Sequence, residues 1–265
     1  MVFSILLLLI TLLITLDSIG SKRLRSRVIG LAKTFFAQAE ASSPVSGQQA
    51  AHHPPLLKRY LDYACPDGEV VATLRMRYKA AARRADRKNW QPIEAKLFLT
   101  TSPWQMVQYE DRTLAFLVSQ KRFRLVAEAK TEQSQRLFSL FSQPTAPDVL
   151  ARMHQWACLV WQPGHPAWTS LDWSLEDSQS VSSFLAKEKI HITWKIDKES
   201  GQLTHFQAKA EEAGLSLNYT YTDYEEQGAY QVPMSFEMAE VYADKQYLYR
   251  AQLVDLVYDE DFAWW

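Results

Sequence analysis

Polar and apolar residues alternate along much of the chain. In "EVVATLRMRYKAA", Val70, Ala72, Leu74, Met76 and Tyr78 fall on one face, and Thr73, Arg75, Arg77 and Lys79 on the other. A period of two marks a half-buried strand. "IEAKLFLTT" and "QMVQYED" read as further strands, and "TLAFLVSQ" as a short buried one. "RFRLVAEA" alternates with Phe123, Leu125, Ala127 and Ala129 on one side. After Trp168 the period of two returns in "SLDWSLE", "IHITWKI", "THFQAKAE" and "LSLNYTYTD", then in a closing ribbon from Tyr221 to Tyr258. Glycine-bearing turns at Lys198–Gly201 and Glu225–Gly228 predict hairpins. Pro233 sits early in its run, where a sheet tolerates it.

Two stretches break this rhythm with a helical one. "TEQSQRLFSLFSQ" and "APDVLARMHQWACLVW" space their apolar residues three and four apart, at Leu137, Leu140 and Phe141, then at Leu150, Met153, Ala157 and Val160. They predict two helices split by Pro144 and Pro147, the second stopped at Pro163-Gly164. A shorter helix opens the domain: Pro54 and Pro55 suit a helix start, and Leu56, Leu57, Tyr60, Leu61 and Ala64 form one stripe. Strands follow one another in two blocks around the helical insert, without alternating helices, which points to antiparallel α+β.

The N-terminal run "VFSILLLLITLLITL", Val2 to Leu16, is apolar apart from Ser4, Thr11 and Thr15. With Asp17 to Gly20 it approaches the ~20 residues that span hydrocarbon. It reads as a transmembrane anchor over residues 1–20; a cleaved signal segment is the other reading, given the small residues at Ser18-Ile19-Gly20. Lys22, Arg23, Arg25 and Arg27 follow the run and nothing basic precedes it, so charge asymmetry favours a cytoplasmic domain. The same cluster suits anionic head groups, making membrane lipid an expected partner. Val28, Leu31, Phe35 and Ala39 recur at helical spacing, as a helix along a membrane surface or as a connector. "ASSPVSGQQAAHHPP" then loses periodicity. Residues 21–52 are thus a basic helix and linker, and the folded domain runs from 53 to 265.

Charge and composition narrow the chemistry. The formal net charge is −1, so global charge implies no nucleic-acid partner. Twelve acids against Lys245 and Arg250 from Glu211 onward make the closing ribbon acidic. Cys65 and Cys158 form no ligand-spaced pair and read as separately buried thiols, a single bridge between them being the other reading. Hydrolase, kinase, dinucleotide and HExxH motifs are absent, no cofactor is indicated, and the six His make no metal-binding spacing. His191 and His205 fall on polar strand faces. The unusual feature is the aromatic load, 12% of the chain, much of it on strands. One reading is a core between sheet and helices. The sharper one is a concave sheet around an apolar ligand, with Phe116, Trp173, Trp194, Phe206, Tyr219 and Tyr221 as lining residues.

"PPLLKRYLDYACPDG", "LRMRYKA…WQPIEAKLFLTTSPWQMVQY", "PDVLARMHQWACLVWQPG" and "NYTYTDYEEQGAYQVPMSFEMAEVY" follow one another in that order. The series, over about Pro54 to Tyr258, resembles a bacterial family of unknown function. Its closing hairpin is similar to that of the lipoprotein-carrier (LolA/LolB-like) fold, a curved antiparallel sheet capped by helices around an apolar cavity. The resemblance implies that fold, lipid or lipid-anchor binding, and a periplasmic location that opposes the charge rule. The combined expectation is α+β and mostly β: an N-terminal transmembrane helix, then a curved antiparallel sheet of roughly ten strands with helices packed on one side. Its expected role is binding of a lipid or other apolar ligand at a membrane, the alternative being a non-catalytic protein that docks an unknown protein partner there.

Overall fold

The computed structural model describes residues 2–41, 53–101, 104–115, 118–126, 131–137, 141–143, 148–242 and 244–259. Three α-helices are α1 (Val2–Ala41), α2 (Pro55–Ala64) and α3 (Asp148–Ala157). The first strand block is β1 (Thr73–Arg84), β2 (Gln91–Thr100), β3 (Gln105–Ala115), β4 (Val118–Val126), β5 (Thr131–Leu137) and β6 (Phe141–Gln143). The second is β7 (Ser174–Leu175), β8 (Ser180–Leu185), β9 (Ile190–Ile196), β10 (Leu203–Ala210), β11 (Leu215–Gln227), β12 (Tyr230–Tyr242) and β13 (Lys245–Tyr258).

All thirteen strands belong to one antiparallel sheet, in the order β6-β5-β4-β3-β2-β1-β13-β12-β11-β10-β9-β8-β7. Each block is a meander of hairpins, and the blocks join edge to edge where β1 pairs with β13. Antiparallel neighbours need only tight turns, such as the one at Gly228, whose φ of +62° suits glycine. β6 and β7 end at opposite edges of the sheet. The chain between them must cross a face, and α3 with two 3-10 turns (Cys158–Trp161 and Pro166–Trp168) makes that crossing. α3 therefore packs against β4 and β5 on one limb and β10 and β11 on the other.

The sheet curls around that crossing. Arg124 of β4 and Glu240 of β12 are five strand steps apart, about 24 Å along a flat sheet. Their side chains meet at 2.9 Å, so the two limbs face one another across a trough. The inner face carries Leu74, Met76, Leu97, Ile192, Leu217 and Phe236, packed on Leu57 and Tyr60 of α2 and Leu150 and Met153 of α3.

The outer face is covered as well. Leu24, Val28, Ala32, Phe35 and Phe36 make one stripe of α1 and pack on Phe98, Val107 and Leu125 of β2, β3 and β4. Phe36 meets Phe98 edge to face at 6.0 Å. β2 is thus buried on both sides, with Leu97 and Leu99 inward and Phe98 outward, which accounts for its continuous apolar end.

Four expectations are corrected. The N-terminal segment is no transmembrane helix: among the described residues no helix is long and apolar enough to cross a membrane. The fifteen-residue apolar run rises only about 22 Å, short of ~30 Å of hydrocarbon, and continues without a break into the basic cluster as one helix of 40 residues. A single-pass membrane location accordingly falls. The helices pack on both faces of the sheet, not one, because α1 docks outside. Finally, thirteen strands replace roughly ten. "TEQSQRLFSLFSQ" contributes two of them, β5 and β6, where a helix was expected. Its apolar residues cluster at one end, too few to define a period, and the open edge of β4 supplies backbone partners from Gln120↔Leu137 to Val126↔Thr131. The linker, 42–52, lies outside the described residues.

Candidate functional site

The floor of the trough in the second block is a row of rings set by strand register. Trp194, Phe206 and Tyr219 are direct cross-strand partners on β9, β10 and β11. Trp194 and Phe206 lie 4.4 Å apart, Tyr219 and Tyr221 stack at 5.6 Å, and Phe236 of β12 extends the row, 5.4 Å from Tyr219. Such pairs arise because same-face residues on adjacent strands sit close enough for rings to touch. The crossing segment covers the row: Trp161 packs edge-on to Tyr221 and Phe236, and Trp168 lies 5.1 Å from Trp194. Of the six expected lining residues, the fold brings Trp194, Phe206, Tyr219 and Tyr221 together, all buried. Trp173 stands at the margin, half-buried, its ring 5.9 Å from that of Trp168. Phe116 lies outside the described residues.

Beside the rings sits a buried polar network. Arg124 is fully buried. Its Nη1 donates to Glu110 Oε1 at 2.9 Å and Gln108 Oε1 at 2.7 Å, and its Nη2 to Glu240 Oε2 at 2.9 Å. Gln108 donates in turn to Tyr78 and Glu110. From α3, His154 meets Glu240 Oε2 through Nε2 and Tyr219 OH through Nδ1, each at 2.9 Å. A carboxylate accepts only, so the His154 proton sits on Nε2 and the Tyr219 hydroxyl donates to Nδ1. Burial, and then the Arg124 charge, pull His154 down to about 4 against the opposing pull of Glu240. His154 is therefore neutral near pH 7. Burial likewise pushes the Cys158 thiol up to about 12, which leaves no thiolate nucleophile there.

Periodicity placed Arg124 opposite Phe123 and Leu125 and hence outward. The structure turns it inward, and Leu125 packs under α1 instead. Both faces of β4 are covered, so alternation does not tell inside from outside. Glu240 did carry a signal: it falls in phase with Phe236 and Met238, two apolar residues of the inner face.

The remaining expected residues are dispersed. Lys22, Arg23, Arg25 and Arg27 are exposed on α1. Arg25 lies near Lys96 and Arg77 on the outer face; burial, then these two charges, lowers Lys96 to about 8. Cys65 and Cys158 are separate buried thiols. His191 and His205 are exposed. Among the described residues no group of His, Cys, Asp or Glu is arranged to hold a metal ion.

The architecture is that of a curved single-sheet domain, and a solved structure shares that fold. A DUF1329 family protein from Desulfovibrio piger superposes with a TM-score of 0.50 at 7% identity, covering 78% of this chain and 93% of its own. A putative outer membrane lipoprotein-sorting protein domain from Vibrio parahaemolyticus gives 0.41 at 8% identity, covering 72% and 87%. A LolA superfamily protein from Nitrosomonas europaea gives 0.38 at 8% identity, covering 83% and 96%. At 7% identity the first is a likeness of fold alone. No curated protein matches the chain in sequence. The chain belongs to DUF6544, a family of unknown function, whose sequence model matches residues 43–251.

Proposed function

We propose that this domain binds an apolar ligand of the lipid class between the trough floor and the crossing segment that contains α3. The observation that carries the reading is how α3 is held. The floor beneath it is aromatic, yet a central inward contact of α3 is polar, His154 to Glu240 and Tyr219. Lifting α3 costs those directional bonds and the burial of its Leu150 and Met153, and it leaves aromatic surface that a ligand of matching apolar area can cover. The exposed surface of the described inner face is small in the closed form, so a ligand exchanges places with the covering segment.

The test is direct. The full chain is purified from cells, extracted with organic solvent and analysed by mass spectrometry, then titrated with a fluorescent fatty acid. Co-purifying lipid, or saturable enhancement of the probe, is expected. A lipid-free protein that leaves the probe unaffected would rule the reading out.

A further inference from the structure

A second polar group lies outside the Arg124 network, linked to the aromatic row through Trp168. His165 caps the 3-10 turn Pro166–Trp168, its Nδ1 accepting from the Ala167 N–H at 2.9 Å. A ring nitrogen that accepts carries no proton, so the proton of the neutral imidazole is on Nε2. Burial lowers His165 to about 3, which keeps the ring neutral. Nε2–H is therefore a donor on a side chain 5% exposed, and it has no partner among the described residues.

Gln162, three residues earlier and 1% exposed, donates through Nε2 to Thr101 Oγ1 at 3.3 Å. The Thr101 hydroxyl gives its own proton to the Val71 carbonyl, so it accepts from Gln162. That fixes the amide orientation and leaves Gln162 Oε1 an acceptor with no partner among the described residues. The Trp104 ring is 4.8 Å from that of His165, and its Nε1–H is likewise unmatched there. Each such buried group costs ~1–3 kcal/mol if nothing meets it, so three in one neighbourhood ask for a common partner. Trp168 ties the group to the row: its Nε1 donates to the Gln162 carbonyl at 3.3 Å and its ring packs on Trp194.

We infer that His165, Gln162 and Trp104 receive the polar head of the apolar ligand, and that this head is uncharged and both donates and accepts, as a hydroxyl or an amide does. The inference rests on the ligand-binding reading above. His165 and Trp104 only donate and Gln162 Oε1 only accepts, so a head that does both satisfies all three. None of the three residues is charged, so a carboxylate or phosphate would be desolvated without a counter-ion. A monoacylglycerol has the right chemistry. A methyl ester cannot donate, and a free fatty acid is charged.

The experiment compares monolauroylglycerol, methyl laurate and laurate on the full chain by calorimetry or by displacement of a fluorescent apolar probe. Monolauroylglycerol is expected to bind at least about tenfold more tightly than the others, a difference of ~1.4 kcal/mol. His165→Phe and Gln162→Leu should erase that preference while methyl laurate binding holds. Trp104→Phe, which keeps an aromatic ring but removes the N–H with the five-membered ring that bears it, should reduce it and serves where the other variants fail to fold. Equal binding of all three probes by the native protein overturns the inference but leaves the ligand-binding reading standing; it is the result expected if buried water satisfies the group. An undiminished preference in folded variants overturns it too. If no probe binds and no lipid co-purifies, both readings fall together.

Discussion

Arg124 and Glu240 join at 2.9 Å although β3, β2, β1 and β13 lie between their strands in one sheet. The bond is a chord across the curl. It holds the two limbs at the separation that lets α3 touch both. Glu110 shares the same guanidinium at 2.9 Å, with both of its charged partners buried.

Removing one member of such a set leaves the other charges buried with a partner lost. Arg124→Met is expected to destabilise the fold by about 3–5 kcal/mol. Glu240→Gln keeps a hydrogen-bonding group and should cost less. Urea unfolding of both single variants and the double variant gives the coupling. A coupling below about 0.5 kcal/mol would show that the chord carries no energy of its own.

Gly164 is needed for a different reason, close approach. A Cβ built there would stand 1.8 Å from the Glu69 carbonyl oxygen. That oxygen also accepts from Tyr230 OH at 3.0 Å, so it is not free to move aside. Gly164→Ala should lower stability by at least 1–3 kcal/mol, the range for overpacked sites, as read from the thermal midpoint. An unchanged midpoint would mean that the loop before β1 yields easily.

The sequence disclosed the antiparallel strands, the two blocks and the second helix of the expected insert, because each depends on local period and turn chemistry. Trp194 could be assigned to the face of Ile190, Ile192 and Ile196 by counting in twos. The curl could not be read in that way. It depends on Arg124 finding Glu240, 116 residues away, and no local pattern encodes that distance. The seat of α1 was misread for a related reason. The stripe with Val28 and Phe35 was visible, but an amphipathic stripe does not say whether lipid or a sheet will cover it. Phe98, one residue out of phase with Leu97 and Leu99, was the matching half on β2. The polar group at His165 was legible only as a loop, since Trp104 is remote in sequence from Gln162 and His165.

The docking of α1 gives a prediction on the outer face. Val28 is fully buried between the helix and the sheet. Val28→Asp places a carboxylate in that contact, where desolvation costs several kcal/mol. The stripe should detach while the inner core stays intact. Hydrogen exchange in residues 24–36 should rise by an order of magnitude or more, with amides of β9–β12 unchanged. Equal acceleration throughout would show instead that α1 is required for the whole fold.

His154 makes the network sensitive to acid. Glu240, Tyr219, Arg124 and Glu110 surround its ring, and burial with the Arg124 charge holds it near 4 against 6.5 for a free histidine. His165, held by burial near 3, behaves alike. In both cases the folded form binds a proton less readily than the unfolded chain. Their contribution to stability is thus complete above pH 6.5 and is lost as pH falls toward 4. By linkage each removes about 2 kcal/mol between neutral pH and pH 5. Urea midpoints measured at pH 7.5, 6 and 5 should fall accordingly. His154→Gln, which can still donate to Glu240 but does not titrate, should be weaker at pH 7.5 yet lose only about half as much between pH 7.5 and 5. A native protein with equal stability at pH 7.5 and 5 would mean that both rings accept protons within the fold, and the neutral, donating His154 assigned to α3 would be wrong.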